Sequence, residues 1–225
     1  IAHLFAREGC AVVLAGRRAD RLEAAASEFR AEGGRVLAVP TDVANEEQVA
    51  RLFARTMQEY GRLDILVNSA GAFDGGWIED ISLDAWQNVV NANLTGPFLC
   101  IREAFRIMKP AGGGRIINIG SISAQRSRER AAPYTATKFG VWGLTQAAAL
   151  EGRDYGIAVS ALHPGNTLVE RRELGKQEGR AADEEPMFDV DVIARTALDM
   201  VTLPPEANML EAIVLPLTQK YLGRG

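Results

Sequence analysis

Short apolar runs alternate with amphipathic stretches from one end of this sequence to the other, and that alternation leaves few folds open. Residues 11–15 (AVVLA) lack polar alternation, which suits a strand covered on both faces. Residues 19–32 then place Leu22, Ala25, Ala26 and Phe29 on one stripe, with Gly33 and Gly34 as the stop. The pair of signals recurs as a strand at 36–39, a helix at 46–60 ended by Gly61, and a strand at 63–67. A longer helix is expected from a Ser82 N-cap towards Lys109 and Pro110, followed by a strand at 115–119. A helix from 133 to about 155, a strand at 157–162, a helix at 189–203 and a closing strand at 209–215 complete the series. Ile1, Leu4 and Phe5, with Gly9 behind them, read as the tail of a helix already under way.

No break in composition marks a linker, so one domain over residues 1–225 is expected. Its class is α/β, a doubly wound parallel sheet, Rossmann-like, in three α/β/α layers. A dinucleotide-binding sheet of this kind opens with a strand and a glycine-rich turn that cradles phosphate, and here the sequence starts inside the helix that would follow. Gly112-Gly113-Gly114 precedes a strand instead of following one and reads as a surface turn, and Gly75-Gly76 reads as loop. Without the opening strand, residues 11–15 would lack a neighbour and an apolar slot would stand open. The natural protein is therefore expected to extend roughly twenty residues further at its N-terminus.

Composition removes several functions. Lys plus Arg number 25 against 29 for Asp plus Glu, a net charge of −4, so neither nucleic acid nor anionic membrane is an expected partner. Cys10 and Cys100 lie far apart, and with only His3 and His163 beside them no metal cluster or disulfide scaffold is expected. No apolar run approaches the ~20 residues of a membrane span. The expected compartment is the cytosol, in cytoplasmic solution.

The chemistry concentrates in PYTATK. Tyr134 and Lys138 stand i,i+4 early in a predicted helix, on one face. A free tyrosine has a pKa of about 10 and exchanges protons poorly at neutral pH. An ammonium ~4 Å from the phenolate contributes about 4 kcal/mol at an effective dielectric of 20, or roughly three pKa units. That brings the phenol into the range where general acid/base catalysis works. Lysine is scarce, four against twenty-one arginines, which makes its presence here more telling. Ser121 directly follows the strand RIINI, at the carboxyl end where such sheets hold ligands. Its hydroxyl can donate to a substrate oxygen, or it can cap a turn, as Ser123 can.

These residues carry a resemblance. Asn68-Ser69-Ala70-Gly71 after a strand, Asn93 in NANLTG, Ser121, Tyr134-x-x-x-Lys138 and Pro164-Gly165 occur in the order and near the spacings of the short-chain dehydrogenase/reductase family, which nearly the whole chain resembles. The resemblance implies an oxidoreductase that transfers a hydride between NADP(H) or NAD(H) and a carbonyl or secondary alcohol of a small molecule. It implies Tyr134 as acid/base, Ser121 on the carbonyl oxygen, and Lys138 lowering the tyrosine pKa and bonding the nicotinamide ribose, which Tyr134 also borders. Asn93 would hold a relay water, or satisfy backbone groups as a helix-interior amide. A catalytically silent dinucleotide sensor on the same fold is the alternative, though it would have no need of Ser121, Tyr134 and Lys138 together.

For the cofactor, Asp42 and Val43 resemble the pair that meets adenine, and Asn68, Ala70 and Gly71 the turn beside the adenosine ribose. Where an acidic residue would bond the 2′-hydroxyl of NAD, Arg17 and Arg18 stand instead. Guanidinium suits a 2′-phosphate, which favours NADP; the other reading is two solvated cations paired with Asp20 and Glu23. Pro164, Gly165 and Thr167 would face the nicotinamide carboxamide, although the family more often has its threonine where Val169 stands. His163 is read as a loop or packing residue for want of an arguable partner. Residues 168–188, with ten charges in twenty-one, occupy the place of a substrate lid. Trp77, Gln125, Asn166 and Met187 could approach the pocket. A homodimer or homotetramer is expected through helices 82–108 and 133–155, with Phe98, Ile101, Phe105, Trp142 and Leu144 offering apolar surface. The ending EAIVLPLTQKYLGRG lacks the Asp-Gly-Gly common in the family, and Tyr221 and Leu222 could dock on a neighbouring subunit.

Overall fold

The structure, a computed structural model, describes residues 1–178 and 185–221. Helix α1 (Ala2–Arg7) leads into strand β1 (Val12–Gly16), α2 (Ala19–Ala31), β2 (Val36–Pro40), α3 (Glu46–Tyr60) and β3 (Ile65–Asn68). Then come α4 (Leu83–Val90), a π-helical turn (Asn91–Thr95), α5 (Gly96–Ala111), β4 (Gly114–Ile119), α6 (Ala132–Gly152) and β5 (Ile157–Pro164). The last elements are β6 (Thr167–Leu168), α7 (Glu170–Gln177), β7 (Phe188–Asp189), α8 (Val190–Thr202) and β8 (Glu211–Val214).

Local chemistry accounts for the boundaries. The Asn45 side chain accepts from the Gln48 N–H at 3.0 Å, Glu46 and Glu47 sit at the positive end of α3, and Gly61 closes that helix at φ 71°. Ser82 caps α4 in the same way, accepting from Ala85 at 3.1 Å. The long helix expected from Ser82 forms, but a π-turn at Asn91–Thr95 divides it. Gly112, at φ 84°, ends α5; of the glycine triplet read as a surface turn, Gly112 and Gly113 make the turn and Gly114 already opens β4.

Strands run parallel in register β3–β4–β5–β8, with Ile117 opposite Val67 and Ser160. Alternate residues point to opposite layers. Ile116 packs with Val49, Leu52, Leu99 and Met108 of α3 and α5, while Ile117 packs with Phe5, Ile193 and Met200 of α1 and α8. This is the three-layer α/β/α arrangement. β1 pairs with β2 from Val12↔Val36 to Gly16↔Pro40, so residues 11–15 are not left without a neighbour: only their other edge is open. That edge and β3 line a cavity of about 810 Å³ walled by Val12, Leu14, Ile65, Val67 and Phe53, which is the expected apolar slot. No hydrogen-bonded strand pair bridges it among the described residues. Among them, too, no helix is long and apolar enough to cross a membrane, and no group of His, Cys, Asp and Glu could hold a metal ion.

Candidate active site

Three parallel strands end side by side, and their carboxyl ends carry the candidate residues: Asn68 closes β3, Ser121 stands two residues beyond β4, and Pro164 closes β5. Helix α6 crosses above them. Pro133 fits its first turn, where no N–H is required; Tyr134 follows it directly and Lys138 comes one turn later.

The structure brings Ser121, Tyr134 and Lys138 to one place. Lys138 Nζ lies 5.5 Å from the Tyr134 ring centroid and donates to the Ile119 carbonyl, the last residue of β4, at 2.7 Å. It is almost fully buried, and desolvation pushes its pKa down to about 8. At neutral pH the ammonium is thus charged and poorly hydrated beside the phenol ring. Ser121 Oγ accepts from the Ser123 N–H at 3.1 Å, capping the short 3₁₀ turn Ile122–Ala124. The capping role is the one observed, and the cap uses the Ser121 oxygen as acceptor and not its O–H. Phe73 leans on Tyr134 with centroids 5.4 Å apart.

Asn93 is buried in the π-turn. Its Oδ1 accepts from the Ala72 N–H at 2.6 Å and its Nδ2 donates to the Ala72 carbonyl at 2.9 Å, pairing with the backbone as a strand would. Nδ2 also reaches Thr137 Oγ1 at 3.2 Å, and Thr137 donates to the Tyr134 carbonyl at 2.8 Å. The side chain of Asn93 therefore does the structural work foreseen as one of its two roles, tying the 69–72 turn to the start of α6. Asn68 donates to Asn118 at 2.8 Å, Asn118 to Thr145 at 2.9 Å, and Thr145 to the Val141 carbonyl at 2.8 Å. Sequence reasoning missed Asn118, Thr137 and Thr145; the one available signal was an amide inside the otherwise apolar strand RIINI.

Arg17 and Arg18 are exposed where β1 gives way to α2. Their anticipated acidic partners are not used: Glu23 pairs with Arg30 at 2.6 Å, and no ion pair to Arg17, Arg18 or Asp20 forms among the described residues. Asp42 Oδ1 accepts from Ala44 at 3.0 Å, and its own N–H is held by Gln48 at 2.8 Å, while Val43 faces Gly96 closely enough that a Cβ there would meet its side chain at 2.8 Å. Ala70 and Gly71 are exposed, and a Cβ on Gly71 would lie 3.4 Å from Asn93 Oδ1. Gly165 is packed so tightly under Gln219 that a Cβ would overlap the Gln219 side chain. Thr167 Oγ1 donates to the Gly165 carbonyl at 3.2 Å.

Other candidates fall elsewhere. Gln125 points at Glu211 and Trp77 lies under Arg130, while Asn166 is held by Glu185 and Arg128. Tyr221 is buried on its own chain, donating to Gln125 at 2.5 Å; Leu222 lies outside the described residues. Of the five apolar residues expected to face a partner, Ile101 is in the core, Phe105, Trp142 and Leu144 are half-buried and only Phe98 is exposed, because the sheet absorbs more of both helices than their periodicity suggested.

Comparison with known proteins gives the family and the fold. The sequence model of the family described as short chain dehydrogenase matches residues 1–178. An uncharacterized oxidoreductase of Bacillus subtilis, YxjF, is 42% identical over 176 residues, covering 77% of this chain and 68% of the relative. A 3beta-hydroxysteroid dehydrogenase of Mediterraneibacter gnavus is 38% identical over 170 residues, 74% of this chain, which spans only 61% of that relative. The crystal structure of a single-residue variant of actinorhodin polyketide ketoreductase with NADPH superposes with a TM-score of 0.90 at 27% identity, over 98% of this chain and 92% of that one.

Proposed function

The chain belongs to the short-chain dehydrogenase family, and from that premise we propose that it is an NADP(H)-dependent oxidoreductase moving a hydride between the nicotinamide and a carbonyl or secondary alcohol of a small molecule. The observation that carries the reading is the convergence of Ser121, Tyr134 and Lys138 at the carboxyl ends of β4 and β5. A silent dinucleotide sensor would have no use for a buried cation kept charged beside a phenol.

The residues fit a phosphorylated dinucleotide. Two guanidiniums without ion-pair partners among the described residues suit the 2′-phosphate, as Arg17 and Arg18. Asp42 and Val43 would border the adenine, and Asn68, Ala70 and Gly71 the adenosine ribose. Lys138 and Tyr134 would bond the nicotinamide ribose, and Pro164, Gly165 and Thr167 the carboxamide, to which the Thr167 oxygen still offers lone pairs. When bound, the nicotinamide supplies or accepts the hydride.

The chain's own part is to manage charge on the substrate oxygen. In reduction the Tyr134 hydroxyl gives its proton to that oxygen while the Ser121 O–H donates a second bond, both fixed before negative charge develops. In the opposite direction the phenolate accepts the alcohol proton. Lys138 stabilises that phenolate, and its bond to the Ile119 carbonyl holds the ammonium to the end of β4. Asn93 keeps the turn after β3 against α6.

Residues 168–188 act as the substrate lid in this reading. Its ends are stapled by the β6–β7 pairs Thr167↔Phe188 and Leu168↔Asp189, and α7 reaches α2 through Glu170 and Arg21 at 3.2 Å; residues 179–184 lie outside the described residues. The protein works as a homo-oligomer through the outer faces of α5 and α6, where Phe98, Phe139 and Leu150 are exposed, and in the cytosol, which suits its two free cysteines. The test is absorbance at the nicotinamide band with NADPH and then NADH across ketones, aldehydes and quinones. Turnover with NADPH is expected, and Tyr134→Phe should lower it about 10³–10⁴-fold without moving the melting temperature; full activity in that variant would end the reading.

A further inference from the structure

His163 looks like an ordinary core residue, being fully buried with its ring edge-on to Trp142 at 5.7 Å. Its position is less ordinary. The ladder between β4 and β5 ends with Ile119 opposite Leu162 and a last bond from the Gly120 N–H to the Leu162 carbonyl at 2.8 Å. Beyond that rung the Ser121 backbone leaves the sheet, and its N–H meets His163 Nδ1 at 3.1 Å. The imidazole replaces the missing strand partner. A Cβ on Gly120 would overlap this ring, so the glycine is what lets it approach.

On the other side of the ring Nε2 faces Glu211 Oε1 of β8 at 3.5 Å. Gln125 donates to the same carboxylate at 2.6 Å, and Tyr221 donates to Gln125 at 2.5 Å. Nδ1 also lies 2.9 Å from the Ser121 carbonyl, so two tautomers compete. With the proton on Nδ1, the ring donates to the Ser121 carbonyl at 2.9 Å, but the Ser121 N–H loses its partner and the Nε2 lone pair points at a carboxylate. With the proton on Nε2, the Ser121 N–H is satisfied and the Nε2–H, which makes no hydrogen bond, faces the Glu211 carboxylate at 3.5 Å as a charge–dipole contact.

We propose that His163, held as the Nε2–H tautomer, is a positioning residue that aims the Ser121 hydroxyl, and that Glu211, Gln125 and Tyr221 hold it so from the C-terminal end of the chain. This rests on the reading of Ser121 as a donor to the substrate oxygen. The groups facing the ring are Glu211 from β8, Lys138 from α6 and the Ser121 backbone; burial outweighs the two that favour protonation and keeps the ring neutral.

Three substitutions separate positioning from packing. Asn at 163 returns an acceptor near the place of Nδ1, Gln places its amide near Nε2 instead, and Leu fills volume alone. In the full protein with NADPH and a reducible ketone, His163→Leu and His163→Gln are expected to lower kcat about 10–100-fold with KM for NADPH within about twofold. His163→Asn should recover most of that loss. With only two histidines in the chain, ¹⁵N spectra between pH 6 and 8 should show one imidazole fixed with protonated Nε2 and unprotonated Nδ1. Amide exchange at Ser121 should quicken at least tenfold in His163→Leu. Equal kcat in all three variants, protonated Nδ1, or an unchanged Ser121 amide would overturn the proposal. Ser121→Ala tells its failure from that of the functional reading: full activity there removes the role of Ser121 itself, whereas an inactive Ser121→Ala beside a fully active His163→Leu removes only the role of His163.

Discussion

The strand pair β1–β2 and the block β3–β4–β5–β8 are made of the same kind of apolar strand, yet they are finished to different degrees. In the block, helices cover both faces, and the polar groups at its carboxyl end are wired together from Asn68 through Asn118 to Thr145, and from Ala72 through Asn93 to Thr137. Beside it, β1 bonds on one edge only, borders a cavity of about 810 Å³, and carries Arg17 and Arg18 with no ion pair among the described residues. Acid/base geometry is thus built by contacts within the block, whereas the end of β1 offers charge, the exposed guanidiniums of Arg17 and Arg18. The contrast teaches that the two halves of the proposed reaction rest on different forces: fixed hydrogen bonds for the proton, and long-range charge for the phosphate.

The largest expected effect comes from the buried cation above the block. Burial lowers the Lys138 pKa from 10.5 to about 8, so the folded state gives up its proton sooner than the unfolded chain. The stability contributed is present above pH 10.5 and is lost as pH falls through about 8. This group alone should therefore add about 3 kcal/mol between pH 8 and 10.5, from 1.36 kcal/mol per pKa unit; it is read in urea unfolding as the difference between the wild type and Lys138→Met, because Cys100, whose pKa burial pushes up to about 12, removes stability above pH 9 in both. Lys138→Met should abolish that rise while lowering kcat about a hundredfold or more. Parallel profiles for the wild type and Lys138→Met would mean that the ammonium is far better solvated than its burial indicates.

The block was also the more legible half. A strand without alternation, RIINI, followed by serine and then by a helix bearing Tyr134 and Lys138 i,i+4, locates the chemistry because periodicity and spacing are local properties. What stayed hidden is non-local: Asn93 meets Ala72 across 21 positions, His163 meets Ser121 across 42, and Tyr221 meets Gln125 across 96. The π-turn was invisible as well, since apolar spacing through Asn91–Thr95 is nearly that of an α-helix. The pairing of β1 with β2 was non-local too and had to come from the sheet.

Paired truncations sharpen the contrast in packing. Ile117 is buried between β3 and β5 against Leu162 and Ile193, so Ile117→Ala should cost about 3 kcal/mol through lost transfer energy and an unfilled cavity. Leu14 already borders open space, and Leu14→Ala should cost about 1 kcal/mol or less. Urea midpoints at constant slope read both numbers. Equal losses would show that β1 is as firmly packed as the block and that the difference between the two halves is only one of strand pairing.

Charge on the open side gives the smallest effect and the most specific one. Arg17 stands just past β1 with no acidic residue holding it among the described residues, so its guanidinium can meet a dianionic 2′-phosphate and makes little contribution to the fold. Arg17→Glu should weaken NADPH about 10–100-fold, or about 1.4–2.8 kcal/mol, and leave NADH within about threefold. Because this contact is exposed, the loss should shrink as salt is raised from about 50 to about 500 mM, whereas the effect of Tyr134→Phe should not change with salt. Fluorescence titration of both cofactors at the two salt concentrations measures the difference. An Arg17 effect that resists salt would place the phosphate in a closed, desolvated site, and the division between a wired proton side and a charge-guided phosphate side would no longer hold.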